Sequence, residues 1–244
     1  MGQAAGRGVM TAAVFVPGLL CTGDAFARQC AAFDRDLDIQ IADHTGQDSI
    51  GGMASAILAA APERFVLVGL SLGGIIALEM MVQAGDRVSG LVLVDTGARA
   101  DSAEQAERRA AFVGFAEQAG LRAAMEKSIP LMLHEKRQND ERLRETLFNM
   151  AESSGLEVFE RQQRALAGRR DYRADLAKIA SPTLVMVGEA DAMTPVDRAR
   201  ELADGIGRAR LEIIAGCGHL STLECPDEVN GHIASFLRDY ALLG

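Results

Sequence analysis

One stretch constrains this chain more than any other: an apolar run that ends in a glycine-bracketed serine and passes straight into helix formers. Residues 64–68 read RFVLV, almost wholly apolar, as a parallel strand covered on both faces requires. Gly69-Leu70-Ser71-Leu72-Gly73-Gly74 follows as a glycine-rich turn. Residues 75–84 are rich in helix formers, and Gly85 is the expected stop. Residues 88–95 (VSGLVLVD) repeat the strand character. Strand, helix and strand joined by short connections are the signature of a parallel βαβ unit.

The same alternation brackets the rest of the chain. Residues 11–16 form a short apolar run that ends at Pro17-Gly18, which suits a buried strand and a turn. Asp24 is positioned to cap a helix reaching about Phe33, and residues 38–42 form a second strand. Residues 50–61 carry apolar side chains at helical spacing and stop before Pro62, which cannot continue a helix. From Gly97 to about Tyr172 no strand is expected, and Pro130 and Gly155 divide an Ala-, Glu- and Arg-rich stretch into helices. Strand and helix then return at 183–188, 195–203, 211–215 and 228–240. Neither half alone makes a complete sheet. One core built from 9–96 and 174–244, with a helical insertion at 97–173 and a disordered start at 1–8, is therefore the expected organisation.

Composition excludes several classes of function. A formal net charge of -9 argues against partners with phosphate backbones or anionic lipid surfaces. Cys21, Cys30, Cys217 and Cys225 show no CxxC pairing and read as reduced thiols of a cytoplasmic protein. With four histidines and no ligand-like cluster, no metal is expected. Arg7 and the apolar run at 9–20 imitate a secretory signal, but Pro17-Gly18 interrupts the run and favours strand and turn. No apolar run approaches the ~20 residues of a membrane-spanning helix. The expected partner is a small molecule.

Ser71 fits G-x-S-x-G between strand and helix, where a nucleophile sits on a tight, strained bend. Serine is a weak nucleophile and needs a base within hydrogen-bond reach. Of His44, His134, His219 and His232, the base is His219, in a loop directly after the last strand. His44 reads as a loop residue, His134 as a cap or packing residue, and His232 as a half-exposed helix residue. The imidazole needs a carboxylate to hold its tautomer. Asp191, in the loop after the strand at 183–188, is preferred, and Asp95 and Glu189 compete for the role. The backbone amides of Leu72 and of Leu19 are the expected oxyanion donors.

These residues together resemble the α/β-hydrolase fold superfamily, specifically its small bacterial members with a helical cap. The resemblance rests on Pro-Gly-Leu-Leu at 17–20, Gly-Leu-Ser-Leu-Gly-Gly at 69–74, Ser-Pro-Thr-Leu-Val-Met-Val-Gly-Glu-Ala-Asp at 181–191 and Gly-Cys-Gly-His at 216–219. It implies an α/β fold, with a mostly parallel sheet of about six strands flanked by helices, a cap inserted after Asp95, and no cofactor. Two departures stand out. Pro17-Gly18 replaces the family's usual His-Gly, so that loop's outer hydrogen bonds must be made differently. The first run matches the family's third strand, so six strands are expected rather than eight.

Haloalkane dehalogenases and epoxide hydrolases of this fold resemble each other in using aspartate where this chain has Ser71, and serine favours a carbonyl substrate and an acyl-enzyme. Ester, thioester, lactone, amide and activated carbon–carbon bonds stay open, as does a ligand-binding role on the same fold. Leu20, Phe112, Met132 and Phe148 are the expected substrate contacts, with Phe115, Met125, Leu133 and Met150 as further candidates for an apolar wall. Arg108, Arg109, Arg169 and Arg170 are candidates to meet an anionic group.

Overall fold

The apolar runs pair edge to edge into one sheet. A computed structural model describes residues 10–243, so the expectation for 1–8 lies outside the described residues. Six strands are present among them: β1 (Thr11–Val16), β2 (Leu37–Ile41), β3 (Phe65–Leu70), β4 (Val88–Val94), β5 (Thr183–Gly188) and β6 (Ala209–Ile214). Their order is β2-β1-β3-β4-β5-β6, and every pair is parallel. All residues of β3 and β5 are buried, which is why their sequences lack polar alternation.

The chain winds from β1 outward to β2, then reverses to build β3 through β6 on the other side. That reversal lies between β1 and β3, where Val16 pairs with Gly69. The loops leaving the two strands diverge there and open a crevice at the carboxyl edge. Ser71 and Pro17-Gly18 both stand at this point.

Side chains alternate across the sheet and feed two cores. Ala13 and Phe15 face one cluster with α1 (Ala27–Phe33) and α10 (Pro226–Asp239), while Val14 and Val16 face α2 (Ile50–Ala60), α3 (Leu72–Ala84) and α8 (Val196–Gly205). Between β4 and β5 lie four helices, α4 (Ala103–Ala119), α5 (Leu121–Met132), α6 (Glu141–Ser154) and α7 (Leu156–Ala167). A single turn, α9 (Ser221–Glu224), precedes α10.

Several local expectations need correcting. Thr22, not Asp24, caps the first helical segment, a 3-10 turn at Gly23–Phe26 that leads into α1. The helix after Ser71 starts at Leu72 rather than 75, so Gly73 and Gly74 are helical. Gly85 does cap the end of α3 as expected, but not in a left-handed bend. It keeps a right-handed φ of -62 and opens a 3-10 turn, Gly85–Arg87. Pro130 lies inside α5, in its last turn, where only the amide that would reach the carbonyl four residues back is lost. Gly155 does divide two helices as expected; the other breaks fall at Gly120, which like Gly155 has a positive φ (87 and 85), and in the segment after Met132.

The bend at 69–74 survives only because glycine carries no Cβ. A Cβ at Gly69 would stand 2.5 Å from the Gly73 carbonyl oxygen, and one at Gly73 would overlap the Val16 and Pro17 carbonyls. Backbone atoms cannot swing aside as a side-chain tip can. Gly73→Ala is expected to lower unfolding stability by about 3 kcal/mol or more, at or beyond the usual range for overpacking. Gly231→Ala in α10, where a Cβ meets nothing within 4 Å, is expected to be neutral or stabilising by up to ~1 kcal/mol. Urea unfolding of both variants checks the contrast.

Candidate active site

Ser71 occupies the residue between β3 and α3 with φ 52 and ψ -113, a conformation that costs about 1–3 kcal/mol in a non-glycine residue. Its backbone is held on both sides. The amide donates to the Val94 carbonyl at 2.9 Å, and the carbonyl accepts from Thr96 Oγ1 at 2.8 Å. The side chain is thereby lifted out of the sheet edge, where its Oγ lies 2.9 Å from His219 Nε2.

His219 is carried by the loop after β6 and is buried to 3 % exposure. Its Nδ1 lies 2.8 Å from Asp191 Oδ2. A carboxylate can only accept, so Nδ1 carries the proton and Nε2 is left free to accept from the serine hydroxyl. Asp191 is itself fixed. Its Oδ1 accepts from the amides of Met193 and Thr194, both at 2.8 Å, and its Oδ2 accepts from Thr194 Oγ1 at 2.6 Å.

Two buried groups shift each other. Burial alone pushes the His219 imidazole down, but the charge and hydrogen bond of Asp191, joined by the charges of Asp95 and Glu224, outweigh it, and the net shift is upward. Burial pushes Asp191 up, and the His219 charge, its hydrogen bond and those of Thr194 bring it below the usual carboxylate range. Both directions favour an imidazolium beside a carboxylate, the state that forms once a serine proton has been taken.

Of the competing carboxylates, neither touches the imidazole. Asp95 is fully buried and accepts from the Gly188 amide at 3.0 Å, the Ser221 amide at 2.9 Å and Ser221 Oγ at 2.7 Å. It ties the end of β4 to both loops that carry Asp191 and His219. Burial first, then the charge of Asp191, pushes its carboxyl up to about 7. Glu189 is exposed and accepts from the Gly216 amide at 3.2 Å.

The other histidines divide as follows. His134 caps the turn Glu135–Arg137 by accepting from the Lys136 amide, and His232 is half-buried, 3.7 Å from Glu212. His44 differs from its expectation as a plain loop residue: it is 3 % exposed, and its Nε2 donates to the Gly18 carbonyl at 3.1 Å. Among the described residues, no group of three or more His, Cys, Asp and Glu is arranged to hold a metal ion, and all four cysteines carry free thiols. No helix among them is long and apolar enough to cross a membrane.

Leu72 opens α3, so its amide belongs to the first turn, whose N–H groups have no partner inside the helix. Leu19 and Ser71 both line a cavity of about 540 Å³ that reaches from Ser71 up into the insertion. The neighbouring Leu20 amide is committed elsewhere, donating to Gln162 Oε1 at 2.9 Å.

Leu20, Phe112 and Met132 line this cavity, together with Phe115 and Met125. Phe148 does not. It is buried within the insertion beneath Arg122, whose guanidinium stands 4.2 Å over its ring, because it faces the α5–α6 contact rather than the crevice. Leu133 and Met150 are likewise internal, absent from the cavity wall. Arg108 and Arg109 reach the cavity, whereas Arg169 is turned to Asp101 and Arg170 to Asp175. Phe159, Leu131, Met193, Leu220 and Gln163 also line the wall without having been singled out, as do the polar Gln105, Lys127 and Ser128. The missed signal was on α7: Val158, Phe159, Gln162, Gln163, Ala165 and Leu166 form its buried stripe, and two of those are polar.

The model of the alpha/beta hydrolase family matches residues 2–232. The chain belongs to that family. Among curated members, a protein of Rhizobium rhizogenes that carries the name of a carbamate hydrolase, RutD, is 28% identical over 91% of this chain and 90% of its own length. A pimeloyl-[acyl-carrier protein] methyl ester esterase of Nitrosomonas europaea is 28% identical over 74% of each chain. The structure of a thermophilic esterase from Thermogutta terrifontis superposes with a TM-score of 0.86 at 26% identity, covering 96% of this alpha/beta hydrolase and 91% of the esterase.

The electrostatics of the site lead to a direct test. Because the shift of His219 is upward, its imidazole is expected to lose its proton above the ordinary imidazole value of about 6.5. Asp95→Asn removes one of the charges that hold this proton, so the midpoint is expected to fall. A histidine NMR titration, with the His219 signal assigned from a His219→Asn variant, reads both midpoints. A His219 midpoint at or below that of a free imidazole, or one that rises in Asp95→Asn, contradicts the reading.

Proposed function

We propose that this chain is a serine hydrolase that cleaves a carboxylic ester through an acyl-enzyme. The observation that carries the reading is the unbroken line from Ser71 Oγ through His219 to Asp191, with contacts of 2.9 and 2.8 Å. In this reading Ser71 is the nucleophile, His219 the general base and then the general acid, and Asp191 the group that holds the imidazole tautomer. The family membership and the esterases among its relatives support it.

The chemistry follows from the placement of charge. As Ser71 Oγ attacks the carbonyl carbon, its proton passes to His219 Nε2, and the imidazolium is stabilised by Asp191. Negative charge develops on the carbonyl oxygen, for which the Leu19 and Leu72 amides are the proposed donors, each worth about 3–4 kcal/mol in the transition state. His219 then gives its proton to the departing alcohol, and a water activated by the same imidazole releases the acid. Apart from the substrate and the hydrolytic water, these steps call on groups of the chain.

The insertion at 97–173 acts in this proposal as a cap over a core of 9–96 and 174–244. Its Phe112, Phe115, Met125, Met132 and Phe159 make the cavity wall mainly apolar, which suits a small or medium apolar acyl group. Four free thiols fit a reducing compartment, and we place the activity in the cytoplasm. A second reading is favoured by one observation: a 2-hydroxy-6-oxo-6-phenylhexa-2,4-dienoate hydrolase of Comamonas testosteroni is 28% identical over 72% of this chain and 63% of its own. The same triad then serves an activated carbon–carbon bond.

A fluorophosphonate is expected to add once per chain, and p-nitrophenyl butyrate to give a burst of one nitrophenolate followed by steady turnover. Ser71→Ala is expected to abolish labelling and lower kcat by at least ~10⁴-fold. A Ser71→Ala protein that still labels and turns over overturns the assignment of the nucleophile. Turnover of a vinylogous diketone with none of simple esters transfers the assignment to the second reading.

A further inference from the structure

The loop that carries Leu19 has an unusual internal problem. Its turn closes through the Cys21 amide and the Gly18 carbonyl at 3.1 Å, and it places Leu20 at φ 55, where glycine is favoured over a leucine. A non-glycine residue persists there only when its surroundings over-determine it. Two buried side chains do so. His44 Nε2 donates to Gly18 O at 3.1 Å from the loop after β2, and Gln162 Oε1, on helix α7 of the insertion, accepts from Leu20 N at 2.9 Å. Gln162 is 1 % exposed, and its amide nitrogen stands 3.3 Å from the same imidazole nitrogen. The amide's orientation is set by Leu20, whose N–H requires an oxygen.

These two bonds fall on the two peptide planes that meet at Leu19. The Gly18–Leu19 plane contains the Gly18 oxygen and the Leu19 N–H, which point in opposite directions because the peptide is planar. Holding the oxygen with His44 therefore aims the Leu19 N–H. The Leu19–Leu20 plane is held at its N–H by Gln162. Pro17 leaves this loop without the family's usual histidine, and His44 and Gln162 supply the outer hydrogen bonds from elsewhere in the chain.

We propose that Gln162 is a positioning residue for the oxyanion hole: with His44 it locks the peptide planes flanking Leu19, so the donor is correctly aimed only while helix α7 is docked on the core. This rests on the serine-hydrolase reading above. Gln162 touches neither substrate nor Ser71, so its effect belongs to the transition state rather than to substrate binding. A misdirected donor costs catalysis without emptying the apolar wall.

The test compares wild type with Gln162→Met, which keeps the length and removes the acceptor, and with Gln162→Glu, which restores an acceptor at Leu20. Steady-state kinetics on p-nitrophenyl butyrate are paired with inhibition by an alkyl trifluoromethyl ketone, whose hemiketal oxyanion occupies the hole. Gln162→Met is expected to lower kcat by about 10- to 100-fold and to weaken the ketone by a similar factor, with KM within about twofold. Gln162→Glu is expected to recover most of both losses. If the methionine variant does not fold, Gln162→Asn, which withdraws the oxygen from Leu20, is expected to show the same paired loss.

Unchanged kcat and ketone affinity in a folded Gln162→Met or Gln162→Asn protein overturn the proposal. So does a rise in KM with no loss of ketone affinity, which marks a packing role alone. A wild-type protein that neither labels at Ser71 nor binds the ketone sinks the function proposal instead, and the two failures are thereby told apart.

Discussion

Everything at the carboxyl edge depends on one tolerated strain, a serine held at φ 52 between a buried strand and a helix. The conformation is affordable only because three backbones pass one another without side chains between them. Gly69 and Gly73 lie against each other, and Gly73 lies against the end of β1. That packing also brings the loop after Val16 beside Ser71: a Cβ at Gly18 would stand 3.5 Å from the Cβ of Ser71. The bend at Ser71 and the loop proposed to supply an oxyanion donor are therefore one packing unit. A change that loosens either loosens both.

A second layer holds Asp191 and His219, and it is built from buried carboxylates. Asp95 joins the end of β4 to Gly188 and Ser221, next to the loops of Asp191 and His219. Glu224 accepts from the Gly218 amide at 3.0 Å on one side and from the His134 amide at 2.8 Å on the other. The His219 amide itself donates to the Met132 carbonyl at the end of α5 at 2.8 Å. Core and insertion are thus stitched together through the backbone of His219. On the opposite flank the insertion meets the loop of Leu19 through Gln162. The helices between β4 and β5 contact the candidate site from two sides, which makes them part of its geometry as well as a wall over it.

Much of this was legible in the sequence, for identifiable reasons. Strands β3, β4 and β5 announce themselves because a parallel strand buried on both faces has no room for polar residues. Asp191 stands out because it follows directly on such a strand, β5, whereas His219 follows the half-buried edge strand β6 and stands out by its place in the loop after the last strand. What stayed hidden depends on contacts distant in the chain. His44 looks like a loop residue until β1 and β2 pair and bury it against Gly18. Phe148 looks like a pocket residue until α6 turns that face toward α5. Pro130 looks like a break, yet near the end of a helix it removes only one bond. Gln162 differs from these: a polar residue on a buried helical stripe was a visible sign that a specific hydrogen bond awaited it.

The most direct measurement is a crystal structure of the protein after reaction with an alkyl phosphonate, whose phosphorus imitates the tetrahedral carbon. The account predicts phosphorus bonded to Ser71 Oγ, its charged oxygen within hydrogen-bond distance of both the Leu19 and Leu72 amides, and the alkyl chain lying along Phe112 and Met132. Phosphorus on another residue, or a phosphoryl oxygen turned away from those two amides, would contradict it.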